Sequence, residues 1–230
     1  MFLRGPLQLS PVARRTYDLP DCGLAVALDL LGERWTLLIV RELLLGPQRY
    51  TDLNDGLHGL STNLLAERLR HLETNGIIHR TELPPPAAST VYELTPIGEE
   101  LQPLIVQLAL WGERFTDGRS VSEPRAAAFA MVARHCGPDA VSAAAPAADI
   151  RTGECRIDID DYSIAAQLDA GRLRARAHPP AQPVAVVRTT GEVYRSLVNG
   201  QMSWAEAVAA HAVHVEGDIS QLGALFGHLR

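Results

Sequence analysis

Between Ser61 and Gly76 the chain reads STNLLAERLRHLETNG, and this stretch limits what the protein can fold into more than any other. Leu65, Leu69 and Leu72 recur at i, i+4 and i+7 with Leu64 beside them, which at the helical period makes one apolar stripe. Thr62, Asn63, Ala66, Glu67 and Arg70 fall on the other side. Ser61 is a candidate N-cap and Gly76 a candidate C′ residue, so both ends of the helix are marked. The outward face begins with small hydrogen-bonding side chains and carries an arginine further along. That is the pattern of a helix whose N-terminus enters a DNA major groove. A solvated face on an ordinary packing helix fits the same residues, and the neighbouring sequence has to decide.

The neighbours spell a helix-turn-helix. The run from Ala25 to Leu30 predicts a helix stopped by Gly32, and a second helix is expected from Arg34 to Leu45 with Trp35, Leu38, Ile39 and Leu43 inward. Gly46-Pro47 ends it. Thr51 reads as the N-cap of a short helix through Gly56 that buries Leu53 and Leu57, and His58-Gly59-Leu60 leads tightly into Ser61. Ile77 to Thr81 and Thr90 to Leu94 are β-prone runs on either side of Pro84-Pro85-Pro86, a stiff-tipped hairpin that would form a wing. Thr95-Pro96 supplies an N-cap and an N1 proline to a long helix with Ile97, Leu101, Leu104, Ile105, Leu108, Trp111 and Phe115 along one side, disturbed at Pro103. After a winged domain such a helix has little intradomain surface left to cover. It is expected to pack against a second subunit. Residues 1 to 17 hold no sustained period and read as an arm or a short extra element.

Total charge does not point to nucleic acid. The 230 residues carry a net charge of -6, all 21 basic residues are Arg, and residues 1 to 120 hold 11 Arg against 15 acidic residues. Affinity for DNA must therefore come from the placement of a few arginines, with modest non-specific binding that weakens as salt rises. Cys22, Cys136 and Cys155 lie far apart without a CxxC, which indicates neither a zinc site nor a disulfide framework. No apolar run is long enough for a membrane span, and Asp18, Asp21 and Asp29 after Arg14-Arg15 exclude an export signal, so a cytoplasmic protein is expected.

Each polar residue has a role to weigh. Ser61, Thr62 and Asn63 at the positive end of a helix dipole suit phosphate, while Asn63 and Arg70 have adenine and guanine as bidentate base partners. Ser61 serves equally as a cap without DNA contact. Arg68 lies beside the leucine stripe, so its stem covers core and its head pairs with either an acid or a phosphate. Arg49 and Arg80 are placed to clamp the DNA backbone. Glu67 is either solvated or a specificity element toward cytosine.

The second half is α+β. After Asp117-Gly118 a linker runs to Glu123-Pro124, a helix is expected over 125–136, and AAAPAA at 143–148 interrupts structure. Strands are expected from Cys155 to Asp160, Ser163 to Leu168, Leu173 to Ala177 and Val184 to Val187, with Asp169-Ala170-Gly171 as a hairpin turn. Thr190 to Val198 reads as a helix stopped by Asn199-Gly200. Ser203 and Glu206 form a capping box for the next, Val213 to Val215 a last strand and Asp218 to Leu229 a final helix. His211 and His214 with Glu216 are a conceivable metal cluster, but at a strand start i and i+3 face opposite ways. With no GxSxG elbow and no phosphate-binding glycine loop, neither an enzyme nor a cofactor is expected. The rival is a ligand-binding protein or enzyme built on this half, with the first half serving dimerisation.

Residues 21 to 116 resemble the HxlR-type family of bacterial winged helix-turn-helix transcription regulators. The resemblance rests on Cys22 before the first helix, ALDLLGERWTLLIVRELLLGPQRYTDL, LSTNLLAERLRHLETNGII, VYELTPIGEEL and LWGERF. It implies a homodimeric DNA-binding repressor or activator, paired through its N-terminal and long C-terminal helices, with Ser61 to Leu72 as recognition helix on a near-palindromic operator. It also implies a thiol switch at Cys22, where a helix N-terminus favours thiolate. Gly23 stands where the family often has Pro, and a small residue at a dimer contact is the other reading of Cys22. The ending LVNGQMSWAEAVAAHAVHVEGDISQLGALF resembles the sterol-carrier-protein type lipid-binding fold, loosely over 125–230. That resemblance implies an apolar cavity and a hydrophobic effector, with Met202, Trp204, Leu222 and Phe226 as lining candidates; plain core, in a domain that reinforces dimerisation, is the alternative. The expected organisation is a mainly α winged helix-turn-helix domain over 18–118 and an α+β sterol-carrier-like domain over 124–230.

Overall fold

The computed structural model describes residues 17, 19, 21–83, 89–115, 124–136, 153–169, 172–176 and 180–226. The proline tip at 84–86, the linker after Asp117, the run at 143–148, the Ala170-Gly171 turn and the arm before Tyr17 lie outside them. The chain divides into two compact units, Met1–Gln102 and Pro103–Arg230.

The first unit holds α1 (Gly23–Leu31), α2 (Thr36–Leu44), α3 (Tyr50–Gly56) and α4 (Thr62–Thr74) together with a small sheet whose first strand lies between α2 and α3. The α4 helix follows from its sequence at every level. Leu65, Leu69 and Leu72 are all buried, and the Ser61 hydroxyl oxygen accepts the Leu64 N–H at 3.4 Å. At the other end Gly76, at φ +69, is the C′ residue of a Schellman motif: its N–H donates to the Glu73 carbonyl at 3.0 Å and that of Ile77 to Leu72 at 2.9 Å. Ile77 and Leu72 are both buried, the apolar contact that accompanies this motif.

Three local expectations are corrected. The N-cap of α3 is Arg49 rather than Thr51, because Asp52 at N3 accepts the Arg49 N–H at 3.2 Å. On α2, Leu38 is exposed while Val40 takes an inward position with Ile39 and Leu43, since the helix starts at Thr36 and its buried face is turned accordingly. Trp35 is only half-buried and caps α2 from the left-handed region at φ +79.

The wing is a three-stranded antiparallel sheet in the order β1 (Gln48–Arg49), β3 (Thr90–Leu94), β2 (Ile78–Glu82). β1 pairs Gln48 with Tyr92 and Arg49 with Val91, a strand of two residues that no periodicity reveals. Thr95 then ties the wing to the end of α4, donating to the Gly76 carbonyl at 2.6 Å while its hydroxyl oxygen accepts the Gly98 N–H at 3.2 Å. Gly98 in α5 (Pro96–Glu99) is required there: a Cβ would lie 2.2 Å from the Ile77 carbonyl oxygen.

The single long helix expected after Thr95 is two, α5 and α6 (Gln102–Glu113), broken just before Pro103. The apolar residues of α6, with Phe115 just beyond its end, divide between two faces. Ile105 and Val106 are buried, whereas Leu104, Leu108, Trp111 and Phe115 are 50–70% exposed, with the two rings 4.9 Å apart.

The rest of the second unit is a five-stranded sheet with helices. Its order is β6 (Arg172–Arg176), β5 (Tyr162–Asp169), β4 (Cys155–Ile159), β7 (Ala185–Thr189), β8 (His214–Gly217), with β4 and β7 parallel and every other pair antiparallel. The register assigns Cys155, Ile157, Ile164, Ala166, Leu173, Ala175, Ala185 and Val187 to one face, and all are buried. Helices α7 (Pro124–Cys136) and α10 (Ile219–Phe226) pack against the sheet, and α8 (Gly191–Val198) packs against α7. The Tyr194 hydroxyl on α8 donates to the Ala127 carbonyl on α7 at 2.8 Å, and full burial pushes its phenol well above the usual range. Burial also pushes the Cys155 thiol up to about 11. Ser203 and Glu206 cap α9 (Trp204–Ala209) as the sequence predicts, the Ser203 N–H donating to the Glu206 carboxylate at 2.7 Å.

Candidate nucleic-acid interface

The caps and the leucine stripe fix what α4 exposes. Ser61, Thr62, Asn63, Glu67 and Arg70 are all open to solvent on the side away from Leu65, Leu69 and Leu72. The Ser61 oxygen is used as a cap, which leaves its hydroxyl proton to donate. The first backbone N–H groups of the helix carry the positive end of its dipole at the same place. Arg70 is exposed and has no ion-pair partner among the described residues. This constellation can accept a phosphate at its first turn and present a planar amide and a guanidinium to base edges beyond it.

Tyr50, which the sequence reading missed, positions the N-terminus of the helix. Its hydroxyl donates to the Thr62 carbonyl at 2.7 Å across the turn between α3 and α4. An aromatic hydroxyl at the first position of the preceding helix was the available signal, but the contact spans twelve residues and no local pattern displays it.

The remaining arginines differ in how far the scaffold engages them. Arg49 is exposed at the end of β1, on the edge of the wing sheet where α3 begins. Arg80 on β2 donates to Glu73 at 2.7 Å and lies over the Tyr92 ring at 5.4 Å, still half-exposed. The Glu73 hydrogen bond raises its pKa further above the usual arginine value. Arg68 is the most engaged. Its side chain is 12% exposed and donates to Glu33 at 2.9 Å, to Glu67 at 3.0 Å and to the Arg34 carbonyl at 3.3 Å. Of the two roles the sequence allowed for its head, the geometry displays pairing with acids.

Cys22 is exposed and occupies the N-cap of α1 without a side-chain cap hydrogen bond. Of the four ligand candidates, Leu222 and Phe226 on α10 are buried, and Phe226 stacks on Trp204 with ring centroids 4.7 Å apart and planes within 5°. Met202 is half-buried in the turn before α9. The His214 ring is 3.5 Å from a Glu216 carboxylate oxygen that also accepts Arg188, and His211 sits in a left-handed turn at φ +53. Among the described residues no group of three His, Cys, Asp or Glu side chains is placed to hold a metal, and no helix is long and apolar enough to cross a membrane.

Comparison with known proteins bears on the first half. Residues 30–120 match the family described as HxlR-like helix-turn-helix. An HTH-type transcriptional regulator of Synechocystis sp. is 38% identical over 99 residues, 43% of this chain and 73% of the relative. The HTH-type transcriptional regulator YodB of Bacillus subtilis is 37% identical over 98 residues, 42% of this chain and 88% of the relative. The solved reduced form of YodB gives a TM-score of 0.38 at 34% identity, covering 43% of this chain and 97% of that one. With a family match that spans the helix-turn-helix and wing, and regulators of this identity covered over most of their length, the chain belongs to the HxlR-like helix-turn-helix family of DNA-binding transcription regulators.

Proposed function

We propose that this regulator works as a homodimer in which α4 of each subunit enters a major groove of a near-palindromic operator. The carrying observation is the exposed face of α4, where Asn63 in the first turn and Arg70 two turns on stand clear of the ion pairs among the described residues. Thr62 and Asn63 bind phosphate at the helix N-terminus, Asn63 and Arg70 read base edges, and Arg49 and Arg80 flank them as backbone contacts. Dimerisation is supported by the exposed stripe Leu104, Leu108, Trp111 and Phe115 in the second unit and, separately, by exposed Leu24 and Leu28 on α1 in the first. Apolar side chains at helical spacing in such number are the usual mark of an interface. The functional boundaries are a DNA-binding and dimerisation domain over 18–118 and an effector domain over 124–230.

The second domain, in this reading, is of the sterol-carrier type and takes an apolar effector. The one-sided sheet under helices and the Trp204–Phe226 stack beside buried Leu222 support it. Organic extraction of the purified protein followed by mass spectrometry tests this, and an extract without a stoichiometric apolar compound counts against it. Of the two cysteines whose side chains are described, Cys22, exposed at a helix N-cap, is the thiol that oxidation would reach, while Cys155 is buried. Unchanged DNA binding after diamide treatment rejects a redox role.

The DNA-binding reading itself is tested by selecting duplexes from a randomised library with the full-length protein, then titrating the selected duplex across a salt series. Affinity falling steeply with salt is expected from counterion release. Recovery of no preferred duplex would reject it.

A further inference from the structure

Two residues of α4 reach past their own motif to the corner between α1 and α2. Arg68 donates from Nε to the Arg34 carbonyl at 3.3 Å and pairs through Nη2 with Glu33 at 2.9 Å. His71 Nε2 lies 3.0 Å from the Leu30 carbonyl oxygen; a carbonyl only accepts, so Nε2 carries the proton. The corner is itself over-determined. Trp35 holds φ +79 there, the Arg34 guanidinium lies 5.3 Å from its ring centroid, and its Cη2 is 3.9 Å from where a Cβ on Gly59 would be, in the turn before α4. A bulky residue at positive φ persists only where its surroundings hold it.

These contacts fix α4 along its length. The Tyr50 hydroxyl secures its N-terminal turn at Thr62, and Arg68 and His71 secure its middle. A helix held at one point can pivot, whereas one held at two presents its exposed face at a set angle. We propose that the Glu33–Trp35 corner is a positioning element for DNA recognition, and that Arg68 is a positioning residue that latches α4 to it rather than a phosphate clamp. Its guanidinium is paired with Glu33 and Glu67 on a side chain that is 12% exposed, so turning it toward a phosphate would break three contacts already made. Specificity would then depend on residues that never touch a base.

The inference rests on the DNA-binding reading, and the two fail differently. The probe is the duplex selected by the wild-type protein from a randomised library, titrated by anisotropy across a salt series with wild type, Glu33→Gln, Arg68→Ala and the charge exchange Glu33→Arg with Arg68→Glu. Glu33→Gln is expected to weaken binding by about two- to fivefold, the scale of a partly exposed ion pair. Arg68→Ala is expected to weaken it about tenfold, since a charged hydrogen bond is lost as well. Both should keep the wild-type salt slope, and the charge exchange should recover part of the affinity. A phosphate clamp predicts the opposite sign for Glu33→Gln, because removing the competing carboxylate frees Arg68 for DNA. Unchanged or tighter binding by Glu33→Gln, or a salt slope lower by about one in Arg68→Ala, overturns the proposal. Melting curves and stoichiometric titration of active protein separate misfolding from loss of positioning, and Glu33→Gln carries the test if Arg68→Ala does not fold. A wild-type protein that selects no duplex overturns the DNA-binding reading instead.

Discussion

The exposed face of α4 and the outer face of the five-stranded sheet both carry arginines, yet they are chemically unlike. On the sheet, Arg156 donates to Asp158 at 2.5 Å, Arg176 to Glu154 at 2.7 Å and Arg188 to Glu216 at 2.5 Å. The Arg188 hydrogen bond holds the Glu216 carboxyl below its ordinary range, and Asp158 also accepts from Ser163 at 2.6 Å. This face answers its own charge strand by strand, which suits a solvated surface. On α4 the described pairs involve Arg68 at its flank and Glu73 near its C-terminus, and the face with Thr62, Asn63 and Arg70 is left open. Exposure alone therefore does not separate a base-reading arginine from a structural one: Arg188 is about half-exposed yet paired, whereas Arg70 is exposed with no ion-pair partner among the described residues.

That contrast can be broken at several points. The largest effect is expected beneath the α4 face. Leu69→Ala removes a fully packed side chain between Leu65 and Leu72, and should cost about 2–5 kcal/mol of stability in a denaturant melt. A loss under 1 kcal/mol would mean that the stripe does not anchor the helix. Next comes Arg70→Ala, expected to leave the melt nearly unchanged and to relax discrimination at one base pair of the selected duplex by about 1–3 kcal/mol. Equal loss across all base substitutions would reassign Arg70 to the phosphate backbone. The smallest effect is expected on the sheet, where Arg188→Ala should change stability by less than about 0.5 kcal/mol and leave both affinity and salt slope as they were. A reduced slope there would extend the DNA-binding surface to the second unit.

The α4 helix was legible because everything that defines it is local. Ser61, Gly76 and the three leucines lie within one short segment, and caps and periodicity read directly from it. The features that escaped are set from elsewhere. β1 is two residues long and exists only because β3 pairs with it, so no pattern within Gln48-Arg49 announces a strand. Leu38 looked inward because its neighbours are apolar; which side of α2 is buried depends on what packs there. On α6 and just past it the apolar period was visible, but not that Ile105 and Val106 turn inward while Leu104, Leu108, Trp111 and Phe115 stay exposed. Arg68 could not be assigned from α4 alone because Glu33 and Arg34 lie 35 and 34 residues away. The same limit holds for Trp204 and Phe226, which stack across a turn and a strand.

The most direct measurement is a hydroxyl-radical footprint of the wild-type protein on its selected duplex. Two recognition helices related by dimer symmetry should protect two patches roughly 34 to 36 Å apart, one helical turn, related by a two-fold axis. The protection should fade as salt rises. A single asymmetric patch, or protection that salt does not alter, would contradict the assignment of α4 as the DNA-reading element of a symmetric dimer.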